Sequence, residues 1–410
     1  MGKNRSYSPS VYIIFYFHGD HILPLKRMYS IFYGYEHYLQ FKENLLPSHA
    51  IFIMVRQKRM KWIKLISWMV SMGVTLLLLL ASYSYYFNPN QYPLFSFLGL
   101  FFFVPLLLSL LTFLFLCIIC RKSVLPILVG WVLSLGSIKS FCPLHFDSDG
   151  TKEEDFKVMT YNVHRYDIEG KTEEGFKKVK SIIDEVSPDF CCIQEGMPYK
   201  MLSSSKKSTL HTAFPEYPYC HWDHYGYNKR SHICINFLSK YPILSYKYIP
   251  CDIPNSLGTA ISFVVKMKKR NVNIVVLHLQ SNNLPEDMYN STFNRWKGFF
   301  KSYLRSACLR SQHSKSIEKF LQGLEGEVVV CGDFNDTQFS HAYHIIKRNK
   351  LSSAFDEKGL GPGVTFNDRG IFFRIDHILH SQGLKTSSCK VFKRNYSDHY
   401  PVVAGFRFEE

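Results

Sequence analysis

No charged residue stands between Leu65 and Cys120. A stretch of that length without Asp, Glu, Lys or Arg excludes ordinary water-facing helices, which carry a polar stripe opposite their apolar one. Acid is also scarce overall: 33 Asp and Glu face 49 Lys and Arg, for a formal charge of +16. The eleven cysteines are an odd number without metal-type spacing, which argues against a disulfide framework or a zinc site. Cys191 and Cys192 are adjacent in a strand-like run, so they face opposite sides and are poorly placed to pair. Cys117 and Cys120 lie in the apolar stretch and read as small apolar side chains. No internal repeat or low-complexity segment is present, which excludes solenoid architectures.

The charge that is present is unevenly spread. Residues 1–150 hold 13 Lys/Arg against 5 Asp/Glu, and residues 151–410 hold 36 against 28. The first part is the more basic per residue. Its cations crowd into Arg56, Lys58, Arg59, Lys61 and Lys64, directly before the apolar stretch. That placement is an orientation signal for a membrane segment rather than a nucleic-acid patch. Leu65–Phe87 is long enough to cross a hydrocarbon core at ~1.5 Å per residue. Leu94–Cys120 is a second such run, and the polar turn Asn88-Pro89-Asn90-Gln91 joins the two into a hairpin. Ser123–Ile138 is a weaker third, bounded by Arg121-Lys122 and Lys139. The basic cluster and Arg121-Lys122 belong on the cytoplasmic side and the uncharged turn outside. A third crossing then leaves everything after Lys139 outside, whereas failure of the third run to cross leaves it cytoplasmic.

These features predict residues 1–60 as a poorly defined extension and 61–141 as a transmembrane helical region of two or three helices. An acidic linker at 142–155, containing Asp147, Asp149 and Glu153-Glu154-Asp155, leads to a catalytic domain at 156–410. Within the extension, Met54 precedes positive charges and an apolar helix and so looks like a more natural start than Met1. The first ~50 residues are expected to be an over-extended start or a tail.

After the linker, short apolar runs alternate with helix-like stretches. Phe156–Tyr161, Phe190–Ile193, Ile233–Leu238, Ala260–Met267, Val272–Leu279, Val328–Cys331, Phe372–Leu379 and Pro401–Phe408 read as strands. Gly175–Val186 has the helical period and ends before Pro188. Lys301–Leu321 is a second amphipathic helix, with Arg310 and Gln312 midway. Many strands with few long helices predict an α+β fold built on two packed sheets.

Five polar clusters punctuate these strands. They are Thr160-Tyr161-Asn162, Gln194-Glu195-Gly196, Gly332-Asp333-Phe334-Asn335-Asp336, Arg374-Ile375-Asp376-His377 and Ser397-Asp398-His399. His278 ends a further strand. Acids, amides and imidazoles delivered from separate strand ends suit metal-assisted attack on a phosphate ester. Alone, each cluster is weak, since Gly-Asp-Phe-Asn is also a plausible reverse turn. As an ordered set they resemble the endonuclease/exonuclease/phosphatase superfamily, the relatives of DNase I, exonuclease III and neutral sphingomyelinase, over roughly residues 155–408.

The resemblance implies a four-layer α/β/β/α sandwich with the site at its loop ends. It implies Glu195 as the metal-binding carboxylate, with Asn162 beside it and Asp398 completing the environment. The implied cofactor is Mg²⁺, with Mn²⁺ as a substitute. Asp333 would position or deprotonate the attacking water, and Asn335 would bind the phosphate. His399 would sit against the scissile phosphate, oriented by Asp376. His278 would stabilise the transition state or protonate the leaving oxygen. Asp336 reads as a turn residue and His377, alternating with Asp376, as structural. His164 stands where the exonuclease III branch has a second acid, which weakens an abasic-site nuclease reading. Arg165 and Arg374 are candidate phosphate contacts or solvated strand-edge residues. His211, His221, His224 and His232 match no metal spacing and would shape access to the site.

Three functions fit this sequence. The first is a membrane-anchored, metal-dependent phosphodiesterase of nuclease type, for which Phe293–Arg310 mixes basic and aromatic residues as single-strand grooves do. That segment reads more readily as the solvated face of an amphipathic helix. The second is a phospholipid or sphingolipid headgroup phosphodiesterase. The third is a membrane-tethered binding module without chemistry. The expected partners are a phosphate-ester substrate and a lipid bilayer, and nothing implies an obligate protein partner.

Overall fold

The structure, a computed structural model, describes residues 22–146, 154–167, 170–196, 214–222, 234–251, 253, 256–267, 270–282, 292–368 and 370–409. Residues 147–153 of the acidic linker, and His211, His224 and His232, lie outside the described residues. The chain forms two compact units, residues 1–69 and 70–410. The described part of the first is helical, belonging to α1 (Ile22–Ser82).

In the second unit, α1 gives way to the turn before α2 (Pro93–Leu100), α3 (Phe103–Ile119), α4 (Leu125–Leu133) and α5 (Leu135–Phe141). Among the described residues one helical segment, Phe52–Ser82, is long and apolar enough by itself to cross a membrane. The run expected as one span, Leu94–Cys120, is instead bent by 66° between α2 and α3. Its hydropathy is uniform, so the break left no mark in composition. Tertiary contact at the bend accounts for it: Phe102 is buried against Phe339, Leu78 and Ala81. The third run bends by 65° before α5.

Two six-stranded sheets follow. The first has the order β13-β14-β1-β2-β4-β3, from β1 (Phe156–Asn162), β2 (Phe190–Gly196), β3 (Tyr219–Trp222), β4 (Cys234–Ser239), β13 (Leu384–Val391) and β14 (Val402–Phe408). The second has the order β5-β6-β7-β8-β12-β9, from β5 (Ile243–Tyr248), β6 (Thr259–Met267), β7 (Arg270–His278), β8 (Glu327–Asp333), β9 (Ser352–Ser353) and β12 (Asp376–His380). The run expected as one strand, Phe372–Leu379, is two: β11 (Ile371–Phe373) pairs with β10 (Phe366–Asp368) in a separate hairpin, and β12 joins the sheet.

Alternation along the strands builds three apolar layers. Phe190, Cys192, Phe237, Phe263, Val276 and Cys331 fill the space between the sheets. On the outer face of the first sheet, Met159, Cys191 and Ile193 pack against Val179, Ile182 and Ile183 of α6 (Thr172–Val186). On the second, Val275, Leu277 and Val330 meet Ile317 and Leu321 of α7 (Thr292–Leu321) and Ile346 of α8 (His341–Lys347). The result is the mixed α+β sandwich on two sheets. Cys191 and Cys192 face opposite layers, and no disulfide joins any of the eleven cysteines among the described residues.

Two buried histidines set an acid limit on this fold. His313 in α7 has neither ring nitrogen bonded among the described residues, and burial pushes its pKa down to about 4. His377 donates from Nε2 to the Asp336 carbonyl at 3.1 Å between Phe334 and Tyr343, and burial, helped by Arg374, pushes it to about 3. Each binds a proton in the unfolded chain below pH ~6.5 that the folded chain refuses until pH 4 or lower. Their contribution is therefore complete above the unfolded pKa and declines as pH falls through this window. At ~1.4 kcal/mol per proton and pH unit, the pair removes roughly 3–4 kcal/mol between pH 7 and pH 5. Denaturation of the His313→Gln/His377→Gln double variant at both pH values should show a difference smaller by that amount. A difference equal to wild type would show that neither site stays neutral in the fold.

Candidate active site

The site is assembled at the strand ends. β7 and β8 run parallel with His278 opposite Asp333, and β12 runs antiparallel to β8 with Asp376 opposite Asp333. Asp333 thus stands in one row between an imidazole and a second carboxylate. The register depends on Gly332, whose φ is +143° and whose added Cβ would overlap the Leu277 carbonyl. Across the sandwich, parallel β1 and β2 bring Asn162 beside Gln194 and present Glu195, whose φ is +52°. A register irregularity between Ile193 and Gly196 re-aims that carboxylate.

A continuous polar network joins the two sheets. Asn162 Nδ2 donates to Glu195 Oε1 at 3.1 Å and to Asp333 Oδ2 at 2.9 Å. Asn335 donates its backbone N–H to Asp333 Oδ1 at 2.7 Å, and its Nδ2 donates to Leu279 O at 3.0 Å and Asp333 Oδ2 at 3.1 Å. His399 Nδ1 lies 2.8 Å from Asp376 Oδ2, which leaves Nε2 facing Asp333 Oδ2 at 3.8 Å. His278 Nε2 lies 3.4 Å from Glu195 Oε1 and 3.8 Å from Asp333 Oδ2. His164, with Nδ1 3.5 Å from Asp398 Oδ2 and 3.9 Å from Glu195 Oε2, closes the far side.

Burial and charge pull these groups apart in acidity. Burial would raise Glu195, but the neighbouring His278 imidazole, the bond from Asn162 and the charge of His399 hold it down to about 2. Burial and the Asp376 charge push Asp333 up to about 6, against the pull of His399 and His278. Burial disfavours charge on His399, yet Asp376 and Asp333 carry its pKa well above the usual imidazole range. His278 is raised as well, by Glu195 and Asp333 against burial. The arrangement is one ionised carboxylate, one carboxylate poised near neutrality and two imidazoles biased toward the charged form.

All eight site residues read from the sequence therefore meet in one place. Asn162, His278, Asp333, Asn335, Asp376 and His399 are buried, Glu195 is nearly so, and Asp398 is partly exposed. The donor set suits a divalent cation. Glu195, Asp333, Asp376 and Asp398 form no ion pair with Lys or Arg among the described residues, and Asp376 Oδ1 is buried without a hydrogen-bond partner. Asp333, Asp376 and His399 also offer ligand atoms within 4.8 Å of one another.

Other residues were not legible. Thr365 Oγ1 accepts from the N–H groups of Ile375 and Asp376 and so fixes the loop before β12. Phe366 bridges to His399 and packs its ring 5.0 Å away. Asp336, read as a turn residue, is buried and bonded to Arg310. Arg310, Phe299 and Tyr303, which the sequence offers as part of a base-stacking surface, are buried, leaving Lys297, Lys301 and Arg305 exposed on α7. Arg374 is buried rather than solvated, Arg165 is exposed, and His221 packs against Tyr246 and Phe263.

Residues 159–399 match the model of the Endonuclease/Exonuclease/phosphatase family. The chain belongs to that family. Members of this family are hydrolases acting on phosphate esters. Residues 61–141 match a second model, described as a domain of unknown function. No curated protein matches the chain. Among solved structures, it is similar to an endonuclease/exonuclease/phosphatase from Bacteroides vulgatus, at 19% identity and a TM-score of 0.46 over 63% of this chain and 100% of that one. It is similar to humanized D. rerio TDP2, at 12% identity and 0.46 over 62% and 98%. D. rerio TDP2 complexed with a single-strand DNA product gives 12% and 0.44 over the same shares.

Proposed function

We propose that this chain is a membrane-anchored, divalent-metal-dependent phosphoesterase that hydrolyses phosphodiester bonds, nuclease-like in its chemistry. The observation that carries the reading is the row His278–Asp333–Asp376, closed by His399 and braced by Asn162. Asp333, with a pKa near 6, is the group suited to take a proton from water at neutral pH. Asp376 fixes the His399 ring so that Nε2 faces the reacting phosphate and donates to its oxygen. His278 supplies a proton to the leaving oxygen. Asn335 spends both amide hydrogens inward and holds Asp333, so it binds the phosphate by turning one Nδ2 hydrogen from the Leu279 carbonyl to a phosphate oxygen. Glu195, with Asn162 and Asp398, would hold Mg²⁺ or Mn²⁺, which neutralises charge on the phosphate oxygens when bound.

In this reading residues 61–141 are the membrane region, with three crossings, 142–155 the linker and 156–410 the catalytic domain on the extracytoplasmic side. Support comes from contacts at both ends of the hairpin region. At the turn, Gln312 Nε2 donates to Asn90 Oδ1 at 2.9 Å and Cys308 Sγ lies 3.3 Å from Pro89 O. At the exit, Leu144 bridges Leu360 and His145 Nε2 lies 2.9 Å from Asp356 O. Turn and exit thus meet the same domain, whereas Arg121-Lys122 stands at the other end of α3, where positive charge marks the cytoplasmic face.

A lipid headgroup phosphodiesterase is the second reading, favoured by the packing of α2 directly on α7 beside the site loops. The test uses the full chain in detergent, with Mg²⁺, on a plasmid, a single-stranded oligonucleotide and choline phospholipid vesicles, beside a His399→Ala control. Cleavage of nucleic acid that stops with chelator and in the control is the expected result. The same cleavage by intact expressing spheroplasts, on plasmid added outside, follows from the orientation. Headgroup release with nucleic acid untouched would establish the second reading. Inactivity on all three would overturn phosphodiester hydrolysis and favour a binding module.

A further inference from the structure

Beside the catalytic loops lies a cavity of about 380 Å³ that the proposed chemistry does not use. Leu100–Phe103, the bend between α2 and α3, forms one wall. Phe299 of α7 and the Ile371–Phe373 strand form the others, with Thr337, Gln338 and Arg374 among them. Apart from those three the lining is apolar, chiefly phenylalanine, with Pro362 and Val364 completing it. Arg374 is only 5% exposed, and its Nε and Nη1 have no hydrogen-bond partner among the described residues. The same holds for Thr337 Oγ1 and Gln338 Oε1.

The partners Arg374 does have are weak for a buried cation. Nη2 donates to the Ser140 carbonyl, and the guanidinium carbon lies 4.4 Å from the centre of the Phe355 ring. The nearest carboxylate, Asp356, stays 3.9 Å away. That carboxylate already accepts from Ser140 Oγ at 3.0 Å and Lys347 Nζ at 3.2 Å. Burying a guanidinium with two unanswered donors is costly, and a phosphate is the anion whose oxygens match its fork. Thr337 adds a donor beside it, and Gln338 adds an acceptor for a hydroxyl.

We propose that this cavity binds an anionic glycerophospholipid of the surrounding membrane, its phosphate on Arg374 and an acyl chain along the aromatic wall. The occupant is a lipid rather than a soluble phosphate because the apolar wall continues outward. Phe103, Val104, Leu107, Leu108 and Leu111 of α3 are all exposed, so an acyl chain enters from the bilayer without crossing water. The site is distinct from the catalytic row, and it rests on the membrane reading above but not on the hydrolytic one.

Native mass spectrometry of the full chain in detergent tests this with three probes: dioleoylphosphatidylglycerol, dioleoylglycerol and glycerol 3-phosphate. The phosphatidylglycerol is expected to bind at least tenfold more tightly than either other probe. Arg374→Gln is expected to abolish that preference. Val364→Trp, which fills the cavity while leaving the guanidinium in place, should weaken phosphatidylglycerol at least tenfold even if Arg374→Gln fails to fold. Equal retention of phosphatidylglycerol and diacylglycerol, or binding untouched by Val364→Trp, would overturn the proposal. Tight glycerol 3-phosphate would overturn it in favour of a soluble anion. If the membrane reading itself is wrong, the protein will instead leave membranes on alkaline extraction without detergent.

Discussion

Asp333→Asn is expected to lower kcat by about 10³-fold, with KM changed little and thermal stability equal to wild type or above it. General-base groups typically supply ~10²–10⁴-fold, and Asp333 is placed for the upper part of that range. Its carboxylate is fully buried, accepts from Asn162 and twice from Asn335, and is pushed to about 6. Asparagine keeps the size and one acceptor oxygen but cannot take a proton. It also removes one negative charge from beside Asp376 and Glu195, which relieves repulsion in the absence of metal.

The stability readout separates this from damage to the fold. A loss of turnover accompanied by a large fall in melting temperature would mean that Asp333 acts as a structural anchor. Asp376→Asn tests the neighbouring position. It keeps the ring contact with His399 but removes the charge that raises the imidazole, so a smaller loss, about 10²-fold, is expected together with a pH profile shifted to lower pH. Steady-state kinetics across pH on a soluble phosphodiester would check both. Loss of the same size with an unmoved profile would sink the role given to the Asp376–His399 pair.

The sequence carried the site more clearly than the frame around it. Asn162, Glu195, His278 and Asp333 stand at the ends of apolar strands, Asp376 opens one and His399 stands just before another, and such a change between apolar and polar at a strand end is visible without any partner. β13 was missed because its burial alternates irregularly, with Thr386 and Cys389 buried but Ser387 and Ser388 between them half-buried, across a bulge against β14. β5 was missed because most of its side chains face solvent. In both cases pairing with a distant strand, not local composition, makes the strand. The bend at Leu100–Phe103 was hidden for a similar reason. Gly99 packs against Ser84 and the Phe339 carbonyl, contacts no hydropathy window contains.

Arg310 is the residue the sequence most misrepresented, and its removal carries the largest stability effect expected in this chain. In mid-helix it reads as solvated; in the structure it is wholly buried. Nη2 and Nε bond Asp336 Oδ2 at 2.9 and 3.2 Å, and Nη1 bonds Gln280 O at 2.9 Å and Asn282 Oδ1 at 2.8 Å. Asp336 is raised by burial against the pull of Arg310, so without the guanidinium it would be an unpaired buried acid. Arg310→Met is therefore expected to cost about 3–5 kcal/mol. Adding Asp336→Asn should recover most of that, because asparagine is neutral and still accepts from Tyr303 and the Thr337 N–H. The recovered part is the coupling between the two side chains. The pair also bears on the site, since Asp336 follows Asn335 directly and Tyr303 lies between Asp336 and the Ser96 carbonyl of α2, 3.1 and 3.0 Å away. Chemical denaturation of the two variants in detergent, followed by activity and fluorescence together, measures the coupling. Additive costs would show that Arg310 is held by Gln280 and Asn282 alone, and that the ion pair does not fix the catalytic loop.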